Sequence, residues 1–157
     1  MEKKWIEILE NRFGSLDTPD YSFVLDEIAK KRYKKVMDEI CKKCMVQEDT
    51  DENYDVSFGY ILSFPSGGSY LLRLSMIGPF AFLVQLGIDG SVSMPILRGL
   101  AHDEAAIEVT GVIESHGIVL LDAKILNANF PRLKKYAKSL YQWLFVDEGC
   151  APWSRFF

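Results

Sequence analysis

Two cysteines, Cys41 and Cys44, have the spacing of a metal knuckle or of a redox-active dithiol. A zinc knuckle would need a second pair of ligands, and the other soft ligands of the chain are Cys150, His102 and His116. A redox pair normally begins a helix, where the helix dipole lowers the thiol pKa, whereas this pair falls at the end of a predicted helix. We therefore expect both cysteines to be core residues on an apolar helix face, and we predict no metal site.

Oxygen-bearing side chains alternate along the segment that follows, at Asp49, Asp51, Asn53 and Asp55. This pattern matches the first half of an EF-hand calcium loop, which also needs glycine at its sixth position and a bidentate glutamate at its twelfth. Those positions are Tyr54 and Tyr60 here. Because both required groups are missing, we predict a solvated acidic loop, or alternatively an acidic surface that faces a partner.

The acid–base neighbours His102, Asp103 and Glu104 are adjacent in sequence. Consecutive residues of a helix point in different directions, so these groups do not converge on a substrate. The chain has no serine in a G-x-S-x-G turn, and its Gly-Gly at 67–68 and Gly-Pro at 78–79 predict turns rather than a phosphate-binding loop. We predict no catalytic residue and no cofactor, and therefore a binding protein rather than an enzyme.

Negative charge is concentrated between Glu48 and Pro131, where 11 acidic residues accompany three basic ones. The formal net charge of the 157-residue chain is −4, which disfavours nucleic acid because phosphate binding requires Lys and Arg. The lysines at 30–43 alternate with acids at helical spacing and predict a solvated face. An acidic exterior favours a basic protein partner. The residues that we predict to contact it are Asp49, Asp51, Glu52, Asp55, Asp103, Glu104 and Glu108.

Length and composition predict one globular domain over residues 1–157, with 48% apolar and 25% charged residues. The first residues lead into a helical pattern without an apolar stretch, so we expect no signal peptide. The longest apolar stretch, at 80–88, is too short to span a membrane. An odd number of cysteines, three, suits a reducing compartment, and we predict a cytoplasmic protein.

Apolar residues recur at helical spacing near both ends of the chain. A short helix is predicted at 2–13, a long one at 22–45 with a break near 29–31, and a third at 103–115, begun by Asp103 and ended by Gly117. A short helix or turn follows at 122–127, and a final helix at 134–145. His116 is expected to lie at a helix C-terminus in a structural role.

Period-two alternation begins at Val56, after a polar loop at 47–55. Strands are predicted at 56–63, 69–76 and 80–86, with a fourth at 91–97 and a short buried run at 118–121. Short connections make consecutive strands antiparallel. The predicted fold class is therefore α+β, an antiparallel β-meander sheet with helices packed on it.

Three short segments occur in a characteristic order: SMIGPFA at 75–81, GIVLLD at 117–122, and LFVD at 144–147 followed by Pro152-Trp153. This order resembles small cytoplasmic immunity proteins of bacterial polymorphic-toxin and contact-dependent growth inhibition systems. The resemblance implies a protein without enzymatic activity that binds one cognate toxin domain and occludes its active site. It transfers no binding residue to this chain. Nuclease toxins tend to be basic around the substrate groove, so an acidic inhibitor is complementary to them.

Two alternatives stay open at this point. The chain could be a small-molecule-binding protein or enzyme with an apolar pocket between sheet and helices, since 13% of its residues are aromatic. It could instead be a subunit of a larger assembly, docking through an exposed patch of Trp153, Phe156 and Phe157.

Overall fold

A computed structural model describes residues 1–147 and 149–156, without the side chains of the last two. Within these residues the helices are α1 (Glu2–Phe13), α2 (Phe23–Lys30), α3 (Lys34–Cys41), α4 (Glu104–Ser115), α5 (Ala123–Leu126) and α6 (Leu140–Leu144). The strands are β1 (Met45–Glu48), β2 (Ser57–Ser63), β3 (Ser69–Ser75), β4 (Phe80–Leu86) and β5 (Val119–Leu120). Short 3-10 turns occur at Arg98–Leu100, Lys134–Tyr136 and Pro152–Phe156.

The strands form one sheet in the order β1-β2-β3-β4-β5. The first four strands are an antiparallel meander, and β5 pairs in parallel with the start of β4 after the crossover through α4. The predicted α+β class and the meander are confirmed. The parallel fifth strand follows from the long connection, since a crossover rather than a hairpin joins it to β4.

One face of the sheet packs against α3 and α4. Phe58 of β2 lies opposite Leu74 of β3 and points to this face, where its ring meets that of Tyr33 at a centroid distance of 5.8 Å. On the same face the Tyr70 hydroxyl donates a hydrogen bond to Asp103. Asp103 also caps α4 as predicted, accepting from the Ala106 N–H at 2.7 Å.

The other face packs against the C-terminal part of the chain. Phe82 of β4 meets the rings of Tyr141 and Trp153 at centroid distances of 5.7 Å and 5.3 Å. Helices therefore cover both faces of the sheet. Trp153 is fully buried, so it covers the sheet and is not part of an exposed patch. The Phe156 side chain and Phe157, the rest of that predicted patch, lie outside the described part of the chain.

The predicted helix at 22–45 is two helices followed by a strand. Helix α2 ends where Lys31 adopts a left-handed conformation with φ of 50°, which confirms the break near 29–31. Helix α3 ends at Cys41, and the chain then enters β1, which pairs with the outer edge of β2. The helical prediction at 42–45 and the loop prediction at 47–48 are wrong. Cross-strand pairing decides the structure of so short a strand, and its own sequence does not show it.

Two further predicted elements differ from the structure. The segment at 91–97 is joined to β4 only by a bridge from Leu86 to Val92 and by single hydrogen bonds, such as that from the Ile96 N–H to the Leu83 carbonyl (2.8 Å). Pro95 has no N–H for a regular ladder. The predicted helix at 134–145 is interrupted at Ala137, whose φ is 52°, and α6 starts afresh with a capping box formed by Ser139.

The described residues contain no helix that is both long and apolar enough to cross a bilayer.

Candidate functional site

A hollow of about 470 Å³ lies between the start of α2 and the loop that precedes β2. We call it the acidic groove. The residues that define it are Tyr21, Leu25, Glu52, Tyr54, Asp55 and Asp147. Four of the residues predicted to contact a partner, at 49–55, belong to the loop that forms one wall.

This loop is anchored to β2 through Gly59. The Asp49 N–H donates to the Gly59 carbonyl at 2.7 Å, and the Gly59 N–H donates to the Thr50 hydroxyl at 3.0 Å. A Cβ at position 59 would lie 2.5 Å from the Asp49 carbonyl oxygen. Glycine is therefore required for the loop to approach the strand this closely.

Asp55 forms the floor of the acidic groove rather than its surface. Its side chain is 5% exposed, and one carboxylate oxygen lies 2.6 Å from an Arg73 guanidinium nitrogen. The same oxygen accepts from the Asp51 N–H at 2.8 Å. Arg73 also lies 3.8 Å from Asp49, a more exposed carboxylate. Since the charge of Asp55 is neutralised within the fold, this residue shapes the loop and does not present charge to a partner.

Asp147 closes one end of the acidic groove and joins three parts of the chain. Its carboxylate accepts from the Tyr21 hydroxyl at 2.5 Å and from the Lys138 ammonium. Burial raises the pKa of Asp147, but the hydrogen bonds from Lys138 and Tyr21 outweigh this effect and hold it below its ordinary value. Asp147 therefore stays ionised, and its charge is largely balanced by Lys138.

The rim of the acidic groove carries the groups that are open to solvent. Glu52 lines the hollow and Asp51 precedes it in the chain; both are exposed, and Glu52 has no ion pair or side-chain hydrogen bond among the side chains that the structure describes. Two large apolar side chains flank these charges: Tyr54 is 51% exposed on the loop and Leu25 is 63% exposed on α2. The rim thus combines apolar contact area with uncompensated negative charge.

Helix α2, which carries Leu25, is held in place by a buried carboxylate. Glu27 is 1% exposed and accepts hydrogen bonds from Arg12 of α1 and from Arg32, the latter at 2.8 Å. The Arg12 guanidinium also lies 4.5 Å from the centre of the Phe23 ring. These contacts hold the buried face of α2 in place, so the position of Leu25 at the acidic groove is fixed as well.

The remaining predicted contact residues belong to α4, away from the acidic groove. Asp103 binds Tyr70, which points to one face of the sheet, whereas Asp55 binds Arg73, which points to the other. Burial and the hydrogen bond to Asp103 raise the pKa of Tyr70.

The other two predicted contact residues, both within α4, differ in their surroundings. Glu104 is exposed in the first turn of the helix. Glu108 pairs with Lys43 at 3.4 Å. The seven predicted residues therefore form two separate groups, and four of them (Asp49, Asp55, Asp103 and Glu108) have side-chain partners within the protein.

The cysteine pair has no metal-binding partner in the described residues, which contain no cluster of three or more potential ligands. The prediction that both cysteines are core residues is wrong for Cys41, which is exposed because α3 ends there. Cys44 is half-buried, and burial raises the pKa of its thiol. His116 lies at the C-terminus of α4 as predicted, with its ring nitrogen 2.8 Å from Glu39.

Sequence reasoning did not identify Leu25, Tyr54 and Asp147 as site residues. A signal for Tyr54 exists, because it is the one aromatic residue in the acidic stretch 48–55. A signal for Leu25 is that it follows Val24, which is buried, so Leu25 does not lie on the buried face of α2. Asp147 enters the site through contacts with residues far away in sequence, and local pattern does not report these.

The sequence matches no protein family and no curated protein, and the fold matches no solved structure.

Proposed function

We propose that this chain is an immunity protein that binds a basic toxin domain through the acidic groove and neutralises it by occluding its active site. The observation that carries the proposal is the rim, where two exposed apolar side chains flank uncompensated carboxylates. The function is binding, without covalent chemistry. A nuclease is the toxin class that this surface suits, because its substrate groove must attract phosphate.

Charge gives the rim its role in association. Five acids occupy the eight residues from Glu48 to Asp55, and no lysine or arginine accompanies them. Three of the five, Glu48, Asp51 and Glu52, are exposed and form no ion pair among the side chains that the structure describes, and of these Asp51 and Glu52 belong to the loop at the acidic groove. Such groups accelerate encounter with a basic partner, and this acceleration weakens as salt rises.

Apolar contact gives the rim its role in affinity. Tyrosine is enriched among the residues that dominate binding energy, since it buries a large rigid surface and keeps a polar tip. Tyr54 and Leu25 stand on opposite walls, so a partner side chain inserted between them would contact both. The carboxylates around this contact favour a lysine or arginine at its edge.

The test uses the product of the open reading frame next to the gene for this chain, which the proposal expects to be the toxin. Co-expression of the two products should restore growth of cells that the toxin alone arrests. In binding experiments, the double variant Asp51→Asn/Glu52→Gln should slow association about tenfold at low salt. Tyr54→Ala should instead speed dissociation, about thirtyfold for a central aromatic contact.

The matched control is Glu7→Gln/Glu10→Gln on α1, which removes the same charge from an exposed site. It should leave both rates unchanged. If both pairs of substitutions slow association equally, general net charge rather than the acidic groove attracts the partner. If the neighbouring gene product neither arrests growth nor binds, the proposed function is wrong.

A further inference from the structure

A second hollow, of about 390 Å³, lies at the other end of α2, between the helices and the outer strands of the sheet. We call it the dipolar cleft. It is lined by three aromatic rings and by charged groups of both signs: Tyr33, Phe58, Tyr60, Lys31, Lys34 and Glu48. Its size is within the range of sites for small organic ligands.

The aromatic wall of the dipolar cleft is rigid. The Tyr33 hydroxyl donates to two backbone carbonyls, that of Ser75 at 2.6 Å and that of Gly78 at 3.0 Å. Its ring meets Phe58 edge to face, with an interplanar angle of 83°. Tyr33 and Phe58 are each 5% exposed, so they form a fixed floor that a planar ligand would contact without rearranging it, which lowers the entropic cost of binding.

Polar groups of the dipolar cleft are left without partners in the fold. Tyr60 is half-buried, and its hydroxyl makes no hydrogen bond with the side chains and backbone that the structure describes, so it is free to bond a ligand. Burial, followed by the charge of Glu48, raises the pKa of Tyr60 to about 12, so the hydroxyl keeps its proton at neutral pH. Lys34 pairs with Asp38 at 2.7 Å. Lys31 and Glu48 are both exposed, and neither has an ion pair among the side chains that the structure describes.

Lys31 has a backbone conformation that its side chain does not favour. Its φ of 50° lies in the left-handed region, where glycine is the usual residue at the end of a helix. A lysine at this position sacrifices stability relative to glycine. Strained residues cluster at functional sites, and unlike the other such residue, Ala137, Lys31 has a side chain that lines a hollow with aromatic and charged groups.

We propose that the dipolar cleft binds an aromatic zwitterion of the α-amino acid class. The carboxylate of the ligand pairs with Lys31, its ammonium group pairs with Glu48, and its ring packs against Tyr33 and Phe58. The Tyr60 hydroxyl supplies a hydrogen bond to the bound polar end. This site lies beyond the proposed toxin-binding surface and does not depend on it.

The test is calorimetric titration with L-tryptophan and with two analogues that each lack one charge, indole-3-propionate and tryptamine. Tryptophan should bind with a stoichiometry of one and more tightly than either analogue. Lys31→Gly should weaken tryptophan and indole-3-propionate about fivefold and leave tryptamine unchanged. Glu48→Gln should weaken tryptophan and tryptamine by a similar factor and leave indole-3-propionate unchanged.

Ala137→Gly is the matched control for Lys31→Gly, because Ala137 is the other non-glycine residue with positive φ among those described. It relieves the same kind of strain without changing the dipolar cleft and should leave all three affinities unchanged. Circular dichroism should show that each variant is folded. Absence of saturable tryptophan binding, or equal binding of all three compounds by wild type and both cleft variants, overturns the proposal. So does amide-shift mapping that centres on Tyr54 rather than on Tyr60.

Discussion

The acidic groove and the dipolar cleft lie at opposite ends of helix α2 and use their charges differently. In the acidic groove, Asp55 and Asp147 are neutralised by Arg73 and Lys138. In the dipolar cleft, the structure gives no ion pair to Lys31 within the described residues. Paired charges such as Asp55 and Asp147 stabilise the fold, whereas a charge such as that of Lys31 is available to bind another molecule.

This difference has a physical cause. A buried charge must be paired because desolvation is expensive, so Asp55 at the floor of the acidic groove requires Arg73. A charge at a rim is solvated and needs no partner in the fold. The number of acidic residues in a sequence therefore overstates the negative charge that a surface presents, and at the acidic groove a partner would meet the exposed carboxylates of Asp51 and Glu52.

The largest expected effect comes from breaking the floor of the acidic groove. Arg73→Met leaves Asp55 buried without its cation and should lower the free energy of unfolding by about 3 kcal/mol in urea denaturation. The double variant Asp55→Asn/Arg73→Met should lose less than the two single losses combined, because no unpaired charge remains. A loss below about 1 kcal/mol for Arg73→Met would mean that the pair is a solvated one.

A smaller effect on the free energy of unfolding, which depends on pH, is expected for substitutions at Asp147. Its pKa is lowered in the folded protein, so the unfolded chain takes up the proton first as the pH falls. The ion pair with Lys138 therefore stabilises the fold above the unfolded-state pKa of about 3.9, and this contribution is lost as the pH falls through the folded-state value.

The substitutions Asp147→Asn and Lys138→Met should both flatten the decline of stability in acid. The measurement is the urea midpoint of each variant at neutral pH and at about pH 3, below the ordinary aspartate pKa. Equal declines in wild type and both variants would show that other carboxyl groups govern acid unfolding. The dipolar cleft lacks the Asp147–Lys138 pair, so substitutions there should not change how stability declines in acid.

The smallest expected change in stability comes from relieving backbone strain at Lys31 and Ala137, two non-glycine residues with left-handed φ. Lys31→Gly and Ala137→Gly should each raise stability by about 0.5 kcal/mol, since relief of the left-handed conformation exceeds the entropy cost of glycine. Thermal unfolding should show similar gains for the two variants. A gain at Ala137 with a loss at Lys31 would indicate that the lysine side chain stabilises the fold, contrary to its proposed role in ligand binding.

Local sequence patterns were sufficient for much of the fold. The meander follows from period-two alternation in β2 to β4, and the start of α4 follows from Asp103 as its cap. The break after α2 was indicated by the length of the helical pattern. Strand β1 was not predictable, because four residues contain little periodic signal and the edge of β2 determines their conformation.

The candidate site was predictable only in outline. The segment 49–55 was correctly identified as a loop from its polar residues, but the internal role of Asp55 depends on Arg73, which lies 18 positions away on a neighbouring strand. The α4 acids Asp103 and Glu108 were assigned to the same surface from charge alone, and their contacts with Tyr70 and Lys43 separate them from it.

The sequence by itself determined the class of the fold, the meander and the excess of negative charge, because these depend on residue type and local spacing. Only the tertiary structure decided which carboxylates are neutralised, which apolar residues stay exposed and where two hollows form beside α2. Those properties depend on distances between residues that are remote in the chain. Packing sets these distances, and no local pattern specifies them.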